Sequence, residues 1–152
     1  MAAHPRQSRL FIFVALAVAS AFMVAMHAVR PWIVSGVSQD CLVFNLVLAW
    51  IPFVLSLVVY DRVKAGRRGA ATVAIGGTWL LFLPNAPYIV TDLIHLPEWG
   101  GQPLWYDATM YIGFAWTGLM LGLVSLYLVH RAVRTAWGAT AGWTVAGSAA
   151  VL

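Results

Sequence analysis

Of 152 residues, 62% are hydrophobic and 9% are charged, whereas a soluble domain keeps roughly 25% charged to face water. With a mean hydropathy of +0.84, most of the surface is expected to meet lipid, which excludes an ordinary soluble globular domain. The formal net charge of +4 does not point to nucleic acid, because the basic residues form short clusters between apolar runs and no continuous basic face.

The first apolar run, residues 10–29, is long enough to cross a bilayer core of roughly 30 Å at about 1.5 Å per residue. Arg6 and Arg9 precede it. A cleaved signal peptide competes with this reading, since Ala17, Ala19 and Ala21 offer small-residue cleavage positions. The run continues through Phe22, Met23 and Val24, which favours a retained helix. After a short loop with Pro31 and Gly36, residues 42–60 form the second span, with Asn45 near its start and Pro52 in its middle. An internal proline removes a backbone hydrogen bond and bends the helix. Arg62, Lys64, Arg67 and Arg68 follow.

The third span, residues 70–90, is interrupted at residues 84–87 by Pro84-Asn85-Ala86-Pro87. A polar connection then leads to the fourth span, residues 108–129, which ends at His130, Arg131 and Arg134. Residues 139–152 turn apolar again but are too few for a crossing, so they are expected to be a truncated or peripheral fifth segment. The expected fold is therefore an all-α, polytopic transmembrane helix bundle, one domain over residues 1–152 with four full spans.

Basic clusters at alternate ends of successive spans place the N-terminus in the cytoplasm of a cell (inner) membrane protein by the positive-inside rule. Among the basic residues outside the polar N-terminus, Arg30 alone falls at the opposite end. Trp32, Trp99, Trp105 and Tyr106 read as headgroup-level anchors. The single Cys41 excludes an internal disulfide and a multi-cysteine zinc site.

Polar groups are costly in membrane helices, so their placement carries the functional signal. His27, Asn45, Asn85, Tyr88, Thr91, Asp92, His95 and Asp107 all fall toward the outer ends of their spans. Asn85 reads as an N-cap with Pro87 in the first turn of a new helical piece. At α-helical period, Tyr88, Asp92 and His95 share one face, with Thr91 beside them. A helix broken within the bilayer frees backbone groups, and such breaks recur at transporter substrate sites; a simple proline kink with a satisfying Asn side chain is the plainer reading. The candidate binding set is Asn45, Asn85, Tyr88, Thr91, Asp92, His95 and Asp107.

Asp92 and His95 could supply two ligands to a metal, with Asp107 or His27 as a third, or form an acid/base pair. A hydrogen-bonded pair at the water interface accounts for them equally well, and no nucleophile of obvious identity stands with them. No Walker loop, nucleophile elbow or dinucleotide fingerprint occurs, so no cofactor is indicated. Gly118 and Gly122, with Gly113 above, form a small-xxx-small pattern suited to packing within the chain or to self-association. Ala17, Ala21 and Ala25 give the first span a similar strip.

The segments Phe44-Asn45-Leu46, Ala49-Trp50-Ile51-Pro52, Leu83-Pro84-Asn85-Ala86-Pro87-Tyr88, Thr91-Asp92 and Leu104-Trp105-Tyr106-Asp107 resemble an uncharacterised prokaryotic membrane-protein family, domain of unknown function 1361. The likeness covers roughly residues 42–126. It implies a multi-spanning membrane protein whose members continue through further helices, and it implies no activity. Three functions stay open. The chain binds or transports a polar solute, ion or lipid headgroup at the outer end; or it is a membrane-face enzyme using Asp92 and His95; or it is a structural or assembly subunit in which the polar groups satisfy one another.

Overall fold

The computed structural model describes residues 5–35, 40–95 and 103–151. Helix α1 is Pro5–Val29, followed by a 3-10 turn at Arg30–Trp32; α2 is Asp40–Lys64 and α3 is Ala70–Phe82. One α-helical turn, α4 (Asn85–Tyr88), runs directly into a 3-10 stretch, Ile89–His95. Then come α5, Leu104–Trp137, and α6, Ala139–Val151. Four segments are long and apolar enough to cross a membrane: Arg9–Trp32, Asp40–Lys64, Ala70–Ile94 and Leu104–Trp137. The all-α bundle with four spans is thus as expected.

The helices overrun the apolar runs that announce them. Helix α5 continues eight residues past Val129 to Trp137, because hydropathy marks the edge of lipid while backbone chemistry marks the end of a helix. Helix α2 ends in a Schellman motif: the Gly66 N–H donates to the Val63 carbonyl and the Arg67 N–H to the Arg62 carbonyl, both at 2.9 Å. Gly66 makes this possible by adopting φ 75°. Helix α5 likewise stops at Gly138, φ 94°.

The core lies between α2 and α5. Leu42, Leu46, Ala49 and Phe53 of α2 meet Met110, Tyr111, Phe114 and Leu121 of α5, and Ala86 and Ile89 join the same cluster. Deeper, the buried Trp79 indole N–H donates to Ser125 Oγ at 2.6 Å, and that hydroxyl donates to the Pro52 carbonyl at 3.1 Å. One serine therefore ties α2, α3 and α5 together beside the proline. Ser125→Ala leaves the indole donor unsatisfied and is expected to cost about 1–2 kcal/mol, within the range for polar contacts between membrane helices. Unfolding in mixed detergent micelles checks it.

Helix α1 packs thinly. Its inward face is Leu16, Ser20 and Met23, with the Trp50 indole N–H donating to Ser20 Oγ at 3.0 Å. The Ala17, Ala21 and Ala25 strip is not that face, since Ala21 and Ala25 are exposed. Phe11, Val18 and Phe22 are also exposed, as are Leu81 and Trp116 elsewhere. Lipid is the solvent that accommodates them. Helix α6 returns along the outside of α5, with the partly buried Val145 and Ala149 against the Trp79, Leu83 and Val129 cluster.

Gly118 and Gly122 are filled from inside the chain. A Cβ at Gly118 would clash with Ile89 Cγ2, and one at Gly122 would meet Ala86 Cβ at 2.9 Å. The pair seats the broken third span against α5, the packing within the chain that the small-residue pattern suits.

Candidate functional site

One end of the bundle gathers Arg30, Asn45, Asp92 and Asp107; the other carries Arg9, Arg62, Arg67, Arg68, Arg131 and Arg134. The first set is built around the break in the third span. Asn85 is not its N-cap, because Pro84 holds that position without a side-chain cap bond. Asn85 instead turns back and donates its Nδ2 to the Phe82 carbonyl at 3.0 Å, covering an acceptor freed where α3 ends.

Beyond Tyr88 the chain winds as a 3-10 helix, and this changes which residues share a face. At three residues per turn, positions i and i+3 eclipse. Ala86, Ile89 and Asp92 are buried, while Tyr88, Thr91 and Ile94 are exposed. The expectation that Tyr88 lies on the face of Asp92 is thereby corrected: it is 60% exposed. Thr91 also faces outward, its hydroxyl donating to the Tyr88 carbonyl at 2.6 Å. The side chain of His95 lies outside the described residues.

Two polar pairs form the interior of this end. Asn45 Nδ2 donates to Asp92 Oδ2 at 2.7 Å, joining α2 to the broken span. Asp107, in the first turn of α5, accepts from Arg30 Nε at 2.7 Å and from Arg30 Nη2 at 2.9 Å. This bidentate fork is sealed, with side-chain exposures of 3% for Arg30 and 0% for Asp107. The helix ends favour it too: Arg30 follows the C-terminus of α1 and Asp107 stands at the N-terminus of α5. Tyr106 is buried, not an interface anchor; its hydroxyl donates to the Met26 carbonyl at 2.8 Å. Trp32 and Trp105 are exposed as anchors should be, and Trp99 falls outside the described residues.

Sequence reasoning missed Arg30 and Tyr111. Arg30 carried a signal, as a basic residue standing apart from the clusters at the far end of an apolar run. Tyr111 carried none, being an aromatic residue in an apolar helix. One turn after Asp107, its buried hydroxyl has no hydrogen-bond partner among the described residues. An unmet buried polar group of this kind calls for a water or a ligand atom.

The charge balance of the two pairs differs. Arg30 and Asp107 cancel, whereas Asp92 is held by a neutral amide and has no ion-pair partner among the described residues. The metal trio of Asp92, His95 and Asp107 is not assembled by what is described: both Asp107 oxygens are engaged by Arg30, and His27 stands 3.5 Å from Asp40. Among the described residues no three of His, Cys, Asp and Glu come together.

The family model described as a protein of unknown function (DUF1361) matches residues 44–152. The match holds Asn45, Asp92, Asp107 and Tyr111, begins after Arg30, and extends past residue 126 through α6. Neither a protein of curated function nor a solved structure matches the chain.

Proposed function

The chain belongs to the DUF1361 family of proteins of unknown function, and from that premise we propose that it binds a small cation or a cationic group at the extracytoplasmic end of its bundle, anchored by Asp92. The observation that carries this reading is the charge balance. A carboxylate withdrawn from water is costly unless paired. Asp92 is 7% exposed, its described partner is the neutral Asn45 amide, and the nearby acid Asp107 is already neutralised by Arg30. A bound cation supplies the missing charge. Asn45 Oδ1 and the Tyr111 hydroxyl are oxygen donors of the hard type such a ligand takes.

Orientation rests on the distribution of arginine and lysine. Arg62, Lys64, Arg67, Arg68, Arg131 and Arg134 stand at the end opposite Asp92, which favours a cytoplasmic N-terminus in the cell membrane. The Arg30–Asp107 fork supports a different role for its own two residues, holding α1 against α5 without touching ligand. An enzymatic reading has less behind it, since the Thr91 hydroxyl beside Asp92 in sequence is turned outward.

The test uses purified protein in detergent, with its unfolding midpoint followed against sodium, potassium, ammonium and ethanolamine chlorides at constant ionic strength. At about one hundred times its dissociation constant, a bound ligand adds roughly 2.7 kcal/mol of stability. Asp92→Asn preserves the shape and removes the charge, so the protein should still insert and fold while the cation-dependent rise disappears. If no cation shifts the wild-type midpoint, or the shift survives in Asp92→Asn, the reading is wrong.

A further inference from the structure

At the basic end, where α5 turns into α6, an open groove of about 650 Å³ is lined by Tyr127, His130, Arg131, Arg134, Thr135 and Trp143. We propose that this groove binds the phosphate of an anionic phospholipid headgroup, at a site separate from the Asp92 end and independent of its reading.

The corner that makes the groove is tightly fixed. Gly138 turns the chain with φ 94°, and α6 lies so near α5 that a Cβ at Gly142 would meet Arg134 Cβ at 3.1 Å and His130 Cε1 at 3.3 Å. His130 Nδ1 stands 3.0 Å from the Gly142 carbonyl. A carbonyl only accepts, so Nδ1 carries the proton and donates. The ring also packs on Trp143, with centroids 4.7 Å apart.

The charge in the groove is uncompensated. Arg131 spends one N–H, from Nη1, on the Tyr127 hydroxyl at 3.1 Å. Neither Arg131 nor Arg134 has a carboxylate partner among the described residues. Two arginines with free donors suit the oxygens of a phosphodiester. Thr135 Oγ1 donates to the Arg131 carbonyl, which leaves its lone pairs for other donors and not for the phosphate itself. The arginines therefore provide the recognition.

Position along the bundle makes the source a lipid. The groove opens where α5 leaves the apolar region, and the outer face of α5 continues from Tyr127 through Leu123 to Trp116, all exposed. An acyl chain has a path along that face, while exposed Trp143 sits where indoles settle at headgroup level. Basic pockets between membrane helices on the cytoplasmic side take anionic headgroups for the same reasons.

The experiment is native mass spectrometry of the full chain released from nanodiscs of equal parts phosphatidylglycerol and phosphatidylcholine, counting retained lipids of each kind. The wild type should retain phosphatidylglycerol in preference. Arg131→Gln with Arg134→Gln should reduce that preference about 25-fold, at roughly fivefold per neutralised arginine. The charge-matched control, Lys64→Gln with Arg67→Gln at the same end but outside the groove, should leave it nearly intact. Equal retention of the two lipids by the wild type, or equal losses in the two double variants, overturns the proposal. Displacement of phosphatidylglycerol by millimolar inorganic phosphate would assign the groove to free phosphate and overturn the lipid source.

Discussion

Asp107→Ala should remove about 3–5 kcal/mol of stability, the loss expected when one partner of a buried ion pair is taken away. Both side chains are sealed from solvent, and the fork joins residues 77 apart in sequence at 2.7 and 2.9 Å. Without the carboxylate, the buried Arg30 guanidinium loses the negative charge that balances it. Arg30→Met should be harmful for the mirror-image reason. The informative variant is the double one, Arg30→Met with Asp107→Leu. Replacing both ions by apolar groups removes the desolvation penalty along with the attraction, and is often neutral or stabilising. The double variant should therefore recover most of the folded yield that either single variant loses, measured as monodisperse protein after extraction and as an unfolding midpoint. If it is as damaged as the singles, the pair does more than hold α1 to α5, and the separation of an anchoring pair from a binding pair fails.

The same fork shows what could be read from sequence and what could not. Four apolar runs, the break at residues 84–87 and the shared depth of Asn45 and Asp92 follow from hydropathy and proline chemistry, and the fold bears them out. Arg30 was legible as an exception to the basic pattern, but its partner was not, because periodicity carries no information about contacts 77 residues apart. Tyr88 went to the wrong face for a sharper reason. An α-helical period of 3.6 puts Tyr88 beside Asp92, but the chain winds at 3.0 here, and that change turns Tyr88 off the buried side. Asn85 was recognised as a residue that repairs the break, yet it repairs the end of α3 and not the start of α4. Gly118 and Gly122 were recognised as a seat, while only the fold shows that the occupant is the chain's own broken span.

That seat gives the second large effect. Gly118→Leu should displace the broken span from α5, because even a bare Cβ would clash with Ile89 Cγ2 and stand 3.0 Å from the Ala86 carbonyl oxygen. The first contact is with a side chain and can be relieved; the second is with backbone and cannot move without shifting α4. Overpacking of this kind costs about 1–3 kcal/mol or more, and the large residue should lie at the upper end. Gly118→Ala with Ile89→Ala removes the side-chain clash and should recover stability in part, the remainder reporting the carbonyl. The consequence reaches the polar end as well. Asp92 follows Ile89 by one 3-10 turn, so a segment pushed away from α5 carries the carboxylate with it and strains the 2.7 Å bond from Asn45. Cysteine cross-linking between positions 45 and 92, efficient in the parent and reduced in Gly118→Leu, measures that displacement directly. Undiminished cross-linking in a destabilised Gly118→Leu protein would mean that the seat and the polar pair are mechanically independent, and that the break is held in place by Asn85 and the prolines alone.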